Sequence, residues 1–241
     1  MRYRFSQYPQ NHPMALTSIT QRSFMRYIFL GCLVFTISAS CLHRTWDIDT
    51  YIENLERPDR DEYQKPEEVI TALHITPGMT IADIGAGSGY FTRRFARTVG
   101  KTGKVVAVDV EQKMLDFNRA ELTKLGLMKN TELFLAKPDD PLLPENQIDL
   151  IFFCNVYHHL EHHAAYATKL KPALTDSGRI VIIDYYPDDR SGTLGFPKHH
   201  LISRETVIQQ MNQGGFRLSK EHTILPRQYF LEFVAAGKEL H

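Results

Sequence analysis

The 241-residue chain has no excess charge of either sign: 28 lysines and arginines balance 28 acids, and the sequence pI is about 7.2. With no basic run beyond scattered pairs, it lacks the electrostatic footprint by which proteins hold nucleic acid, so a nucleic-acid partner is not expected. Only three cysteines occur. Cys32 and Cys41 lie in an apolar N-terminal stretch and Cys154 stands alone beyond it, which excludes a disulfide framework and a cysteine-based zinc site. Internal repeats and low-complexity segments are missing as well. The uncharged run from Tyr27 to Leu42 falls short of the roughly 20 residues that a comfortable transmembrane helix needs.

That run carries other marks. Arg22 and Arg26 precede it, and Ser38-Ala39-Ser40-Cys41 closes it, giving a positive n-region, an apolar h-region and a small-residue cleavage site. It resembles a bacterial lipoprotein signal with Cys41 as the lipidated residue, although Ser38 stands where that signal usually has a large aliphatic side chain. An uncleaved short anchor, or a true start at or beyond Met25, are the alternatives. The expected organisation is therefore a signal or anchor over residues 1–43, a lead-in over 44–65 and one domain over 66–241. The expected location is membrane-associated or exported, and cytoplasmic if the start lies later.

In the lead-in, Pro58 argues against one continuous helix. Pro66-Glu67-Glu68 then suits a helix first turn, with Val69, Ile70 and Leu73 following at helical spacing. Strands are expected at Thr80–Ile84, Val105–Val108, Leu133–Ala136, Ile148–Asn155 and Arg179–Asp184, and helices from Tyr90 to Val99, Gln112 to Leu125 and His162 to Leu174. The near-continuous apolar runs at 148–155 and 179–184 read as strands buried on both faces of a parallel sheet. A helix near Glu205–Gln213, a Gly214-Gly215 break and two strands, Phe216–His222 and Tyr229–Ala235, around Pro226 complete the chain. The pattern predicts an α/β, doubly wound, mostly parallel seven-stranded sheet with a C-terminal antiparallel hairpin.

The most informative stretch is Asp83-Ile84-Gly85-Ala86-Gly87-Ser88-Gly89-Tyr90. Its glycines permit a sharp strand-to-helix turn and let a ligand approach the backbone, while the next helix points free N–H groups at the same place. The carboxylate of Asp83 would repel a dinucleotide's pyrophosphate but welcome a ligand carrying an ammonium and a sulfonium. A dinucleotide fingerprint would also need its third glycine at Tyr90. Asp109, about 20 residues past the turn at a strand end, can accept both ribose hydroxyls of an adenosyl group, and this holds for either cofactor.

Together these residues resemble the first motif of class I S-adenosylmethionine (SAM) dependent methyltransferases. The resemblance implies SAM as cofactor, with Asp83, Gly85, Ala86, Gly87, Gly89 and Asp109 around it. By the same resemblance Asp139 and its neighbour Asp140, ahead of Leu143-Pro144, meet the adenine amine, and Asn155 closes the cofactor side. Asn155-Val156-Tyr157-His158-His159-Leu160 resembles the fourth motif of quinone-type and arsenite-type small-molecule methyltransferases, which places Tyr157 and His158 on the substrate side. A neutral imidazole suits proton removal because its unperturbed pKa is about 6.5.

The histidines from His158 to His163 invite a metal reading, but no third ligand has fitting spacing and none is assigned. Arg57-Pro58-Asp59-Arg60 is similar to a lead-in shared by a subgroup of often signal-bearing bacterial methyltransferases. The expected reaction is methyl transfer to an O, N or C nucleophile of a small molecule. Its rivals are an NAD-dependent oxidoreductase, opposed by Asp83 and Tyr90, and a membrane-tethered SAM-binding module without catalysis. Export would favour the second, since an external compartment has no evident SAM supply.

Overall fold

The computed structural model describes residues 47–194 and 197–237. The signal or anchor expected over residues 1–43, with Cys41, lies outside the described residues. No helix among the described residues is long and apolar enough to cross a membrane.

The lead-in forms two helices, α1 (Ile48–Leu55) and α2 (Arg60–Gln64), broken where Pro58 intervenes. Asp47 caps α1 by accepting the Asp49 N–H, and α3 (Pro66–Ala72) starts on its proline. The order that follows is β1 (Thr80–Ile84), α4 (Thr92–Val99), β2 (Lys104–Asp109), α5 (Gln112–Lys124), β3 (Thr131–Leu135), β4 (Ile148–Cys154), α6 (His163–Leu170), β5 (Leu174–Tyr185), α7 (Arg204–Gln213), β6 (Phe216–His222) and β7 (Gln228–Ala235). The fourth helix begins at Thr92 rather than Tyr90, because Ser88 to Phe91 complete the glycine turn. The sixth helix stops at Leu170 rather than Leu174, and β5 begins at Leu174 instead of Arg179. Pro172 accounts for the early stop, since its ring cannot continue the ladder.

The seven strands run in the order β3-β2-β1-β4-β5-β7-β6. Neighbours from β3 through β5 are parallel, and β7 is antiparallel to both β5 and β6. Strand order reverses between β1 and β4, so the carboxyl ends of those strands border the crevice where open α/β sheets take their ligands. Alternation along β1 divides the core. Ala82 and Ile84 pack with α6 and α7 on one face, while Ile81 packs with α3 and α4 on the other.

Strand β4 is buried on both faces, with Leu150, Ile151 and Phe152 at 0% exposure. Phe152 meets Phe91 and Phe95 with ring centroids 4.8 and 4.9 Å apart. Each such ring contributes about 1.5–3 kcal/mol by burial, so the start of α4, and with it the glycine loop, is fixed to the sheet.

Candidate active site

The glycine loop connects β1 to α4 and is tied to the end of β2. The N–H groups of Gly85 and Ala86 both donate to the Val108 carbonyl, at 2.8 and 3.0 Å. Gly85 has φ +68°, and a Cβ there would stand 2.4 Å from a Val156 methyl. Gly89 has φ +86°, and its Cβ would lie 2.1 Å from Asn118 Oδ1 on α5. Both positions need glycine for space as well as for backbone angle. Asp83, alternating with Ala82 and Ile84, faces α4 and accepts the Thr92 hydroxyl at 2.6 Å. It is 3% exposed, and burial, reinforced by the Asp109 charge, pushes its carboxyl up to about 7. Asp83 is therefore a buried, titratable charge under the loop.

Asp109 ends β2 with both oxygens held: Oδ2 accepts the Gly87 N–H at 2.8 Å and Oδ1 the Glu111 N–H at 2.9 Å. Beside it Val110 is 57% exposed, and Leu135, its register partner on β3, is 53% exposed. This set fits an adenosyl ligand, offering a fixed carboxylate for vicinal hydroxyls and apolar surface for a purine. Asp139 and Asp140 stand differently. The Asp139 carboxylate is largely exposed and pairs with Lys169 at 3.4 Å, while Asp140 closes a turn by accepting the Leu142 N–H at 2.9 Å.

Beyond the loop, a cavity of about 460 Å³ opens over the ends of β4 and β5. His158 and His159 sit on its wall, in a short 3-10 turn after β4. His158 Nδ1 lies 2.8 Å from both oxygens of Asp184, near the end of β5, and both side chains are 1% exposed. Asp184 also accepts the N–H of His158 at 3.1 Å and of Tyr185 at 2.8 Å. With three donors on one carboxylate, the imidazole is fixed in place. An ionised Asp184 accepts only, so Nδ1 carries the proton in the neutral ring and Nε2 carries the lone pair. The neighbouring His159 ring, 4.0 Å away, is brought down to about 4 by burial and by His158 beside it, so it stays neutral near pH 7.

Tyr157 is not on the cavity wall. It is 2% exposed within the core, its hydroxyl donates to Gln210 on α7 at 3.2 Å, and its ring packs on His163. The 3-10 turn accounts for this, because adjacent residues in it point in different directions. Asn155, at φ +58°, lines the cavity and joins its amide to Gln64 and Gln228 in a ring of hydrogen bonds of 2.5, 3.1 and 3.3 Å. Among the described residues, no three His, Cys, Asp or Glu are grouped to hold a metal ion. Desolvation pushes the thiol of half-buried Cys154 up to about 12, so it stays protonated.

Sequence reasoning missed the contribution of the lead-in. Tyr51, Leu55, Arg57, Arg60 and Tyr63 all line the cavity, and the Leu55 methyl approaches Gly87. Tyr90 explains how the lead-in is attached. Arg60 and Arg94 pack on its ring at 3.8 and 4.1 Å from the centroid, and its hydroxyl donates to Asp61. The tyrosine that replaces a fingerprint glycine thus anchors α2 to the loop. The Arg-Pro-x-Arg pattern was the available signal, but nothing in its spacing links it to Tyr90.

Known proteins agree with this geometry. The methyltransferase domain family matches residues 82–180. The ubiquinone/menaquinone biosynthesis C-methyltransferase UbiE of Escherichia fergusonii is 29% identical over 108 residues, which are 45% of this chain and 43% of that protein. The chain thus spans less than half the length of the curated relatives it matches. A SAM-dependent methyltransferase from Aquifex aeolicus superposes with a TM-score of 0.71 at 28% identity, over 76% of this chain and 96% of that one. The [4+2]-cyclase SpnF shares the fold alone, with a TM-score of 0.56 at 14% identity over 66% of this chain and 59% of that one. The glycine loop with its preceding acid, the strand-two carboxylate, the sheet order and these relatives agree: residues 82–180 match the methyltransferase domain family, and the chain is similar to SAM-dependent methyltransferases.

Proposed function

We propose that the protein moves a methyl group from SAM to an O, N or C nucleophile of a small molecule, with His158 as the base and Asp184 as the group that positions it. The observation that carries this reading is the buried 2.8 Å contact between them on the wall of the cavity. A cavity of about 460 Å³ lies in the range of small-molecule sites, and the balanced charge supports a small acceptor over a nucleic acid.

Bound SAM supplies an electrophilic methyl on a sulfonium, with a neutral thioether as leaving group. The acceptor's electron pair forms the new bond to the methyl carbon as the carbon–sulfur bond breaks, and the acceptor's proton passes to His158 Nε2. The resulting imidazolium faces the Asp184 carboxylate, which stabilises it at that moment and holds the ring beforehand. Alignment supplies the remainder of the acceleration, because displacement at the methyl carbon must be in line.

The test is transfer of labelled methyl from SAM to a panel of phenols, hydroquinones and amines, followed by mass spectrometry. Label should reach one acceptor class, and His158→Gln should slow transfer by about 10²–10⁴-fold. SAM binding with no transfer to any class would favour a non-catalytic binding module instead.

A further inference from the structure

Three guanidinium groups line the cavity, and their surroundings differ. Arg57 is neutralised locally, its fork holding Asp59 at 3.0 and 2.7 Å. Arg227 is exposed at the rim, over the Tyr63 ring at 4.9 Å, where water solvates its charge. Arg60 is only 7% exposed. One of its N–H groups donates to the Leu55 carbonyl at 2.9 Å, and its plane lies on the Tyr90 ring. Among the described residues it forms no ion pair with a carboxylate.

A buried cation without a counter-ion is costly, and proteins place one where a ligand supplies the opposite charge. The guanidinium is held from two sides, by Leu55 and by Tyr90 at the end of the glycine loop, so its orientation is set before any ligand arrives. Arginine's planar fork then matches a carboxylate with two parallel hydrogen bonds. Asp59 does not serve this charge, because both its oxygens are engaged by Arg57.

We propose that Arg60 is the carboxylate receptor of this cavity. The inference rests on the methyltransferase reading, and two ligands could bring the carboxylate: the amino-acid end of the cofactor, or an acidic acceptor. Either way, Arg60 selects ligands that carry the group and discriminates against analogues that lack it.

The experiment is calorimetry on the full-length protein and on Arg60→Gln and Arg60→Lys. The cofactor pair is S-adenosylhomocysteine and 5′-methylthioadenosine, which lacks the amino-acid end. The acceptor pair is 4-hydroxybenzoate and 4-hydroxybenzamide. If the cofactor supplies the carboxylate, Arg60→Gln loses tenfold or more for S-adenosylhomocysteine and little for methylthioadenosine, with partial recovery in Arg60→Lys. If the acceptor supplies it, the same selective loss falls on hydroxybenzoate while both nucleosides bind as before. Equal losses within both pairs, or no loss in either, would overturn the proposal and leave Arg60 as a clamp on Tyr90. Wild-type protein that binds neither nucleoside would overturn the methyltransferase reading and this inference with it.

Discussion

His158 and Asp184 stand 2.8 Å apart at the ends of neighbouring parallel strands, each side chain 1% exposed. An arrangement that only filled the core would not need a carboxylate holding three donors. Replacing Asp184 by Asn removes the charge that favours an imidazolium but preserves shape. Turnover should fall by about 10²–10³-fold in Asp184→Asn, while affinity for S-adenosylhomocysteine changes by less than about threefold. Turnover assays paired with calorimetry check this, and equal losses in both quantities would reduce the pair to a structural role.

Tyr157 provides the contrast. Its hydroxyl reaches Gln210 rather than the cavity, so Tyr157→Phe should cost about 0.5–1.5 kcal/mol of stability and leave turnover within about twofold of wild type. Chemical denaturation beside the turnover assay measures both. A large loss of turnover at unchanged stability would return Tyr157 to the reacting centre.

Asp83 makes a prediction with a definite sign. Its carboxyl is raised to about 7 in the fold against an ordinary value of 3.8, so the folded state favours the protonated form. Stability from this group is present below about pH 4 and is lost as pH rises towards 7. Asp83→Asn should therefore stabilise the ligand-free protein by on the order of 2–4 kcal/mol at pH 8, with the gain shrinking towards pH 4. The same change should weaken SAM several-fold more than S-adenosylhomocysteine, since only the former carries the sulfonium charge. Thermal melts at pH 5 and pH 8 decide the first part, and a stability gain that does not grow with pH would contradict it.

These contrasts show what was legible in the sequence. Apolar runs such as Ile148–Cys154 and the glycine turn announce the sheet because strand burial and backbone angle are local properties. Asp109 was legible for the same reason, at a fixed distance from the loop. The direction of Tyr157 was not, because one residue of offset in a 3-10 turn separates the core from the cavity wall. Nor could spacing reveal the Asn155, Gln64 and Gln228 ring, whose members come from after β4, from the lead-in and from β7. The pairing of Asp184 with His158 was not legible either, because it exists only once β5 lies beside β4.

The N-terminal expectation is tested by Cys41→Ser. Under the lipoprotein reading this variant loses acyl labelling and runs as an unprocessed precursor, since the thiol that takes the acyl chain is gone. Wild type and variant that migrate identically and carry no label would exclude that reading and leave the methyltransferase domain unaffected.

The most direct measurement is calorimetric titration of the purified protein and its Asp109→Asn variant with S-adenosylhomocysteine and, separately, with NAD. Asp109 fixes Gly87 and presents its carboxylate beside exposed Val110 and Leu135, so it should carry the ribose contact. Losing a charged, two-point hydrogen bond costs about 1.5–3 kcal/mol. Wild type should bind S-adenosylhomocysteine, the variant roughly ten- to a hundredfold more weakly, and neither should bind NAD comparably. Binding of NAD with no response to S-adenosylhomocysteine would contradict the account at its centre.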